Sequence, residues 1–120
     1  MEEKPLILVA EDDSSNFRYI DVLLRRSYQI LWAKNGEEAV NMALENEPVL
    51  VLLDVKMPKM TGLEALVEIK KAKPNLPVIM QTAFAFDTDK EKAKNAGADG
   101  YLTKPISPQS LLNTIESFLK

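Results

Sequence analysis

Along the 120-residue chain, short unbroken apolar runs alternate five times with stretches whose apolar residues recur at helical spacing. Leu6 to Ala10 is continuously apolar and stops at Glu11-Asp12-Asp13. A run of that length with no polar alternation predicts a strand buried on both faces. Between Ser14 and Arg26, Phe17, Ile20, Leu23 and Leu24 fall on one helical stripe. Tyr28 to Ala33 is rich in β-formers and closes at Asn35-Gly36, and Val49 to Leu53 is the strongest strand signal, ending at Asp54. Pro77 to Gln81 predicts a fourth strand ending at Thr82, and Gly100 to Thr103 a fifth ending at Lys104-Pro105.

The joints carry their own signals. Asn35 followed by Glu38, and Thr61 followed by Glu64, have the spacing of capping boxes at helix starts. Ala39, Val40, Ala43 and Leu44 give the second helix its expected buried face, and Leu66 and Val67 serve the third. The helix expected over Asp87 to Ala96 is highly charged and has little apolar surface beyond Ala93 and Ala96, with Gly97 placed to cap its C-terminus. Ser107-Pro108 is an N-cap followed by proline in the first turn, ahead of the stripe Leu111, Leu112, Ile115, Phe118 and Leu119. Five strand–helix units with short joins imply an α/β fold with a parallel sheet and helices on both faces.

Composition narrows the chemistry. The chain is 46% hydrophobic and 28% charged, enough to build a core, and its length suits a single domain over residues 1–120. A net charge of −3 argues against direct nucleic-acid binding, which calls for a basic footprint. There is no cysteine for a disulfide, thiolate metal site or cysteine nucleophile, and no histidine, so any imidazole in its chemistry must come from a partner. Leu6 to Ala10 is too short for a signal-peptide core or a membrane span, which leaves a cytoplasmic protein without membrane contact as the expectation.

In an open parallel sheet, chemistry sits beyond the carboxyl ends of the strands. Those ends carry Glu11-Asp12-Asp13, Asp54, Thr82 and Lys104. Carboxylates gathered there repel: two charges ~4 Å apart cost roughly 4 kcal/mol at an effective dielectric of about 20. A hard divalent cation relieves the repulsion, and an all-oxygen donor set favours Mg²⁺, Mn²⁺ or Ca²⁺. A carboxylate beside such a metal can attack phosphorus, with the Thr82 hydroxyl and the Lys104 ammonium on the phosphoryl oxygens. The plainer possibility is structural, since acidic residues after strands are often helix N-caps, and Asp13 or Ser14 fits that role.

Four segments together resemble one family. Leu8-Val9-Ala10-Glu11-Asp12-Asp13, the stretch Leu53 to Gly62 around Asp54, Gln81-Thr82-Ala83, and Gly97 to Pro105 are similar, in order, to the signatures of response-regulator receiver domains of two-component signalling. The resemblance covers almost the whole chain. It implies a flavodoxin-like (βα)5 sheet, doubly wound, in strand order 2-1-3-4-5. It also implies that Asp54 accepts a phosphoryl group as an acyl phosphate. Glu11, Asp12, Asp54 and the backbone carbonyl of Lys56 would hold Mg²⁺ (Mn²⁺ being possible), Asp12 directly and Glu11 through water. Thr82 and Lys104 would bind the phosphoryl oxygens, and Lys104-Pro105 would be a cis peptide.

Phosphorylation adds roughly −1.5 to −2 charges. By the resemblance, Thr82 then moves toward the new oxygens and Tyr101 turns inward, altering the face made by the fourth helix, fifth strand and fifth helix. That face would meet a downstream partner, and Asp54 would be loaded by a histidine kinase or a histidine phosphotransfer protein. The resemblance leaves open a stand-alone regulator or a receiver from a hybrid kinase or longer regulator, and a monomer at rest that dimerises when phosphorylated. It implies no enzyme in the ordinary sense, because the only reactions are the chain's own phosphorylation and dephosphorylation.

Three other functions stay in view. A degenerate, phosphorylation-independent interaction module is disfavoured because the acidic residues, Thr82 and Lys104 are all present. An aspartyl-nucleophile phosphatase of the haloacid-dehalogenase type needs an acid two residues after the nucleophile, where this chain has Lys56. A nucleotide-binding flavodoxin-like protein lacks its glycine-rich loop after the first strand. Thr61 stands where Asp or Ser is common in the family, yet it can still cap the third helix.

Lys56 and Phe84 occupy the positions that tune acyl-phosphate lifetime in the family. Phe84 is expected to shield the acyl phosphate from water. Autodephosphorylation of the Phe84→Ala variant should therefore be faster than that of the parent, and an equal or slower rate would remove that role from Phe84.

Overall fold

The computed structural model describes residues 4–57, 59–82 and 87–119. In chain order they form β1 (Leu6–Ala10), α1 (Ser14–Leu24), β2 (Gln29–Ala33), α2 (Gly36–Glu45), β3 (Leu50–Asp54), α3 (Gly62–Ala72), β4 (Val78–Thr82), α4 (Asp87–Asn95), β5 (Gly100–Thr103) and α5 (Pro108–Leu119). The strands make one parallel sheet in the order β2-β1-β3-β4-β5. The chain winds outward from β1 in both directions, so the crevice where the order reverses lies between the ends of β1 and β3.

The strands are continuously apolar because both faces are covered. In β1, β3 and β4, Leu8, Ala10, Val51, Leu53, Val78 and Met80 pack on one side with Ala39 and Ala43 of α2, Ala65, Leu66 and Ile69 of α3 and Ala93 of α4. The alternate residues Ile7, Val9, Leu50, Leu52 and Ile79 pack on the other with Ile20 and Leu24 of α1 and Leu111 and Ile115 of α5. All of these positions are buried. Side-chain alternation along each strand sorts a single apolar run into two cores. Among the described residues no helix is long and apolar enough to cross a membrane.

The caps show where local signals held and where they shifted. Thr61 and Glu64 form the expected reciprocal capping box at α3. Asn35 caps α2 by accepting the Glu38 N–H at 2.9 Å. The Glu38 carboxylate, however, accepts from the Lys34 N–H at 2.9 Å, one residue before the cap, so the expected box is not reciprocal. The extended backbone at Asn35 is compatible with that longer reach. On α2, Leu44 is 46% exposed and Met42 packs toward the core in its place. The narrow buried face of Gly36, Ala39 and Ala43 lets α2 lie close to its neighbours. Gly97 has φ +106°, which favours glycine, and ends the α4 segment as expected.

Gly62 is the tightest joint between fold and site. Its N–H donates to the Val55 carbonyl at 2.8 Å. A Cβ there would collide with the backbone carbonyl oxygen of Asp54. Gly62→Ala should lower the unfolding free energy by about 2 kcal/mol or more in urea titration, because backbone rather than a flexible side chain must move. A change within about 0.5 kcal/mol would show that the β3–α3 loop has room to yield.

Candidate functional site

Sheet order brings the polar ends together. Glu11 directly follows β1 and is fully buried. Its N–H extends the pairing with β2 by donating to Ala33 O at 2.9 Å, and its carbonyl accepts from Trp32 Nε1 at 2.7 Å. Trp32 in turn stacks flat on Phe17, with ring centroids 4.2 Å apart. The backbone that carries Glu11 is thus clamped from the edge strand. The Trp32 indole N–H thereby positions the acidic loop, a contact that only the pairing of β1 with β2 creates.

Asp54 ends β3 and is 5% exposed. Its Oδ1 accepts from the Lys56 N–H at 3.2 Å and its Oδ2 from Lys104 Nζ at 2.8 Å. The same ammonium reaches Glu11 Oε1 at 3.1 Å. Lys104 is held by its own N–H, which donates to Thr82 O at 2.6 Å, and the Lys104–Pro105 peptide is cis. Thr82 is 3% exposed at the end of β4. Asp12 is exposed, whereas Asp13 caps α1, its Oδ1 accepting from the Ser15 N–H at 2.9 Å. These groups line a cleft of about 340 Å³ that also includes Lys56 and Asn16, the latter not singled out from sequence. Tyr101 lies on the described part of β5, half-buried against the α2–α3–α4 side of the sheet. Phe84 lies outside the described residues.

One oxygen each of Glu11, Asp12 and Asp54 falls within 4.8 Å of the others. Such an all-oxygen set could hold a hard divalent cation. Electrostatics agree with that fit. Burial, then the hydrogen bond and negative charge of Asp54, push the Glu11 carboxyl up from 4.5 to about 7, against the opposing pull of Lys104. Burial works to lower the pKa of Lys104, but the hydrogen bond and charge of Asp54, followed by those of Glu11, hold it above its ordinary value. One ammonium therefore leaves this carboxylate cluster short of positive charge, which is what a bound cation or proton supplies.

Comparison with known proteins agrees with this arrangement. The response regulator receiver domain model matches residues 7–116. The polar-differentiation response regulator DivK of Brucella anthropi is 34% identical over 116 residues, covering 94% of each chain. The receiver domain of a sensor histidine kinase from Pseudomonas aeruginosa, solved with a magnesium ion coordinated in its active-site cleft, superposes with a TM-score of 0.90 at 28% identity, covering 97% of this chain and 98% of that one. A Saccharomyces cerevisiae response-regulator receiver domain, solved in complex with a histidine phosphotransfer signalling protein, also reaches 0.90 at 28% identity, with 98% and 90% covered.

The Glu11 shift sets a pH dependence. Between 4.5 and about 7 the folded protein keeps a proton on Glu11 that the unfolded chain releases. Stability from this group is therefore full below 4.5 and is lost as pH rises through about 7. In metal-free buffer the melting temperature should fall between pH 5 and pH 8 by the equivalent of about 1–3 kcal/mol. Glu11→Gln should flatten that slope, and Mg²⁺ should stabilise more at pH 8 than at pH 5. A parent whose melting temperature is flat over that range would contradict the assignment.

Proposed function

The chain belongs to the response regulator receiver domain family, and from that membership we propose that it is a phosphoacceptor module loaded on Asp54 by a partner phosphohistidine. The observation that carries the proposal is the buried Asp54 carboxylate at the end of β3, with one oxygen on Lys104 at 2.8 Å and two further carboxylates beside it. The chain contains no histidine, so the donor imidazole comes from a kinase or phosphotransfer protein. The complex formed by the yeast receiver supports the second kind of partner.

In the transfer, an Asp54 oxygen forms a bond to phosphorus as the bond between phosphorus and the donor's imidazole nitrogen breaks, and the imidazole leaves with the electron pair. Lys104 is already placed at one Asp54 oxygen and stays beside the arriving phosphoryl group to neutralise it. Thr82, at the end of the neighbouring strand, presents its hydroxyl to the same group. Glu11, Asp12 and Asp54, with the Lys56 carbonyl, would hold Mg²⁺, and the magnesium ion in the cleft of the Pseudomonas receiver supports that choice of metal. When bound, Mg²⁺ supplies charge neutralisation for phosphoryl oxygens held against carboxylates. The module is not an enzyme of free substrates; it processes its own Asp54.

The output follows from position. Thr82 lies between Asp54 on β3 and the β5 strand that carries Tyr101. Drawing Thr82 toward the phosphoryl group leaves space on the Tyr101 side, and the α4–β5–α5 face changes for a downstream cytoplasmic partner. Among the described residues of the α4 segment, Ala93 packs into the core.

Intact mass after incubation with acetyl phosphate and Mg²⁺ tests the proposal. A phosphoryl adduct is expected on the parent, none on Asp54→Asn, none with chelator, and a rate lower by roughly 10²-fold in Lys104→Ala. If neither acetyl phosphate nor a panel of phosphorylated kinases loads the folded protein, the chain is instead a phosphorylation-independent interaction module.

A further inference from the structure

Glu11 and Asp12 are joined by one planar peptide unit, so the orientation of that unit helps to set where both carboxylates point. Its carbonyl, that of Glu11, accepts from Trp32 Nε1 at 2.7 Å. The preceding peptide is fixed as well, because the Glu11 N–H donates to Ala33 O at 2.9 Å. Both planes that flank the Glu11 Cα are therefore held from β2, one by backbone and one by a side chain. The chain beyond bends back, and the Asp13 N–H donates to Glu11 Oε2 at 3.2 Å.

The donor is itself held in place. Trp32 is level with Val9 in the β1–β2 register, and its indole reaches the Glu11 carbonyl two residues further along. Its ring lies flat on Phe17 of α1, with 5° between the planes. The Lys34 ammonium stands over the ring, 4.9 Å from its centroid. A stacked neighbour and a cation over the ring both restrict how the indole can turn. Phe17 belongs to the same circuit, since its N–H donates to Asp13 O at 3.0 Å. Packing on Phe17 would suit any flat aromatic at position 32, whereas the bond to the Glu11 carbonyl requires the indole N–H.

We propose that Trp32 is a positioning residue for the cation site. Through its N–H it fixes the Glu11–Asp12 peptide so that the two carboxylates converge with Asp54, and it thereby sets the affinity for Mg²⁺. One oxygen of each of these three residues lies within 4.8 Å of the others. Trp32 is not among the residues that line the Asp54 cleft, so it acts through this peptide and not by contact with the ion. Groups that orient metal ligands in this way change metal affinity by roughly 10–100-fold when removed. The inference rests on the reading of Glu11, Asp12 and Asp54 as Mg²⁺ ligands.

The test measures Mg²⁺ binding to the unphosphorylated full chain by isothermal titration calorimetry, with the melting temperature recorded in metal-free buffer. Trp32→Phe keeps a ring against Phe17 but has no N–H. A chain carrying benzothienylalanine at position 32 keeps the shape of the indole and replaces its N–H with sulfur. Asp12→Asn removes a ligand and marks the loss of the site. Both position-32 variants are expected to bind Mg²⁺ roughly tenfold more weakly than the parent. A purely packing role would lower the melting temperature of Trp32→Phe and leave Mg²⁺ affinity unchanged in both. Parent-like affinity in the benzothienyl protein, beside a parent that binds Mg²⁺ and an Asp12→Asn that does not, would overturn this inference alone, even if Trp32→Phe fails to fold. A parent that binds no Mg²⁺, or whose affinity survives Asp12→Asn, would overturn the cation reading and this inference with it.

Discussion

The ammonium of Lys104 stands between two carboxylates from opposite parts of the chain, 3.1 Å from Glu11 and 2.8 Å from Asp54. Glu11 is fully buried and Asp54 nearly so. Charges in such surroundings persist only when paired and hydrogen-bonded. The pairing requires the ends of β1, β3 and β5 to meet, although 93 residues separate Glu11 from Lys104. Burial and then Asp54 raise the Glu11 pKa, and Lys104, shared between the two carboxylates, offsets this only in part. Three carboxylates gathered around one ammonium could hold a divalent ion.

The scaffold meets that requirement by rigid means. The acidic loop is clamped through Trp32 on Phe17 and through Asp13 at the start of α1. The Asp54 end of β3 is clamped by the close approach of Gly62 to the Asp54 carbonyl and by the Thr61–Glu64 box. On the α4 side, the described residues that reach the core are Ala93 and, in part, Ala96.

Much of this was legible in the chain because parallel strands covered on both faces leave an unmistakable apolar run. Four of the five runs stop at, or one residue short of, the polar residue that enters the cleft, which is why Glu11, Asp12, Asp54, Thr82 and Lys104 could be named before any contact was known. Local caps fared well where the partners are sequence neighbours, as at Thr61 and Gly97. Glu38 departed from expectation because its carboxylate accepts from the Lys34 N–H, one residue before the cap. Leu44 departed because helical periodicity marks a stripe but does not set its width, and α2 packs through small residues.

By itself, then, the sequence determined the fold class, the order of elements and the family, since these follow from alternation, turn chemistry and motifs read along one dimension. The tertiary structure alone decided which side chains face each other across elements. It made Trp32 a hydrogen-bond donor to the Glu11 carbonyl. It buried Glu11 fully while leaving Asp12 open, and it left the Gln81 amide buried without a partner. The physical reason is the same in each case: burial and pairing depend on distance in space, and only the lateral pairing of the strands in the order β2-β1-β3-β4-β5 creates those distances.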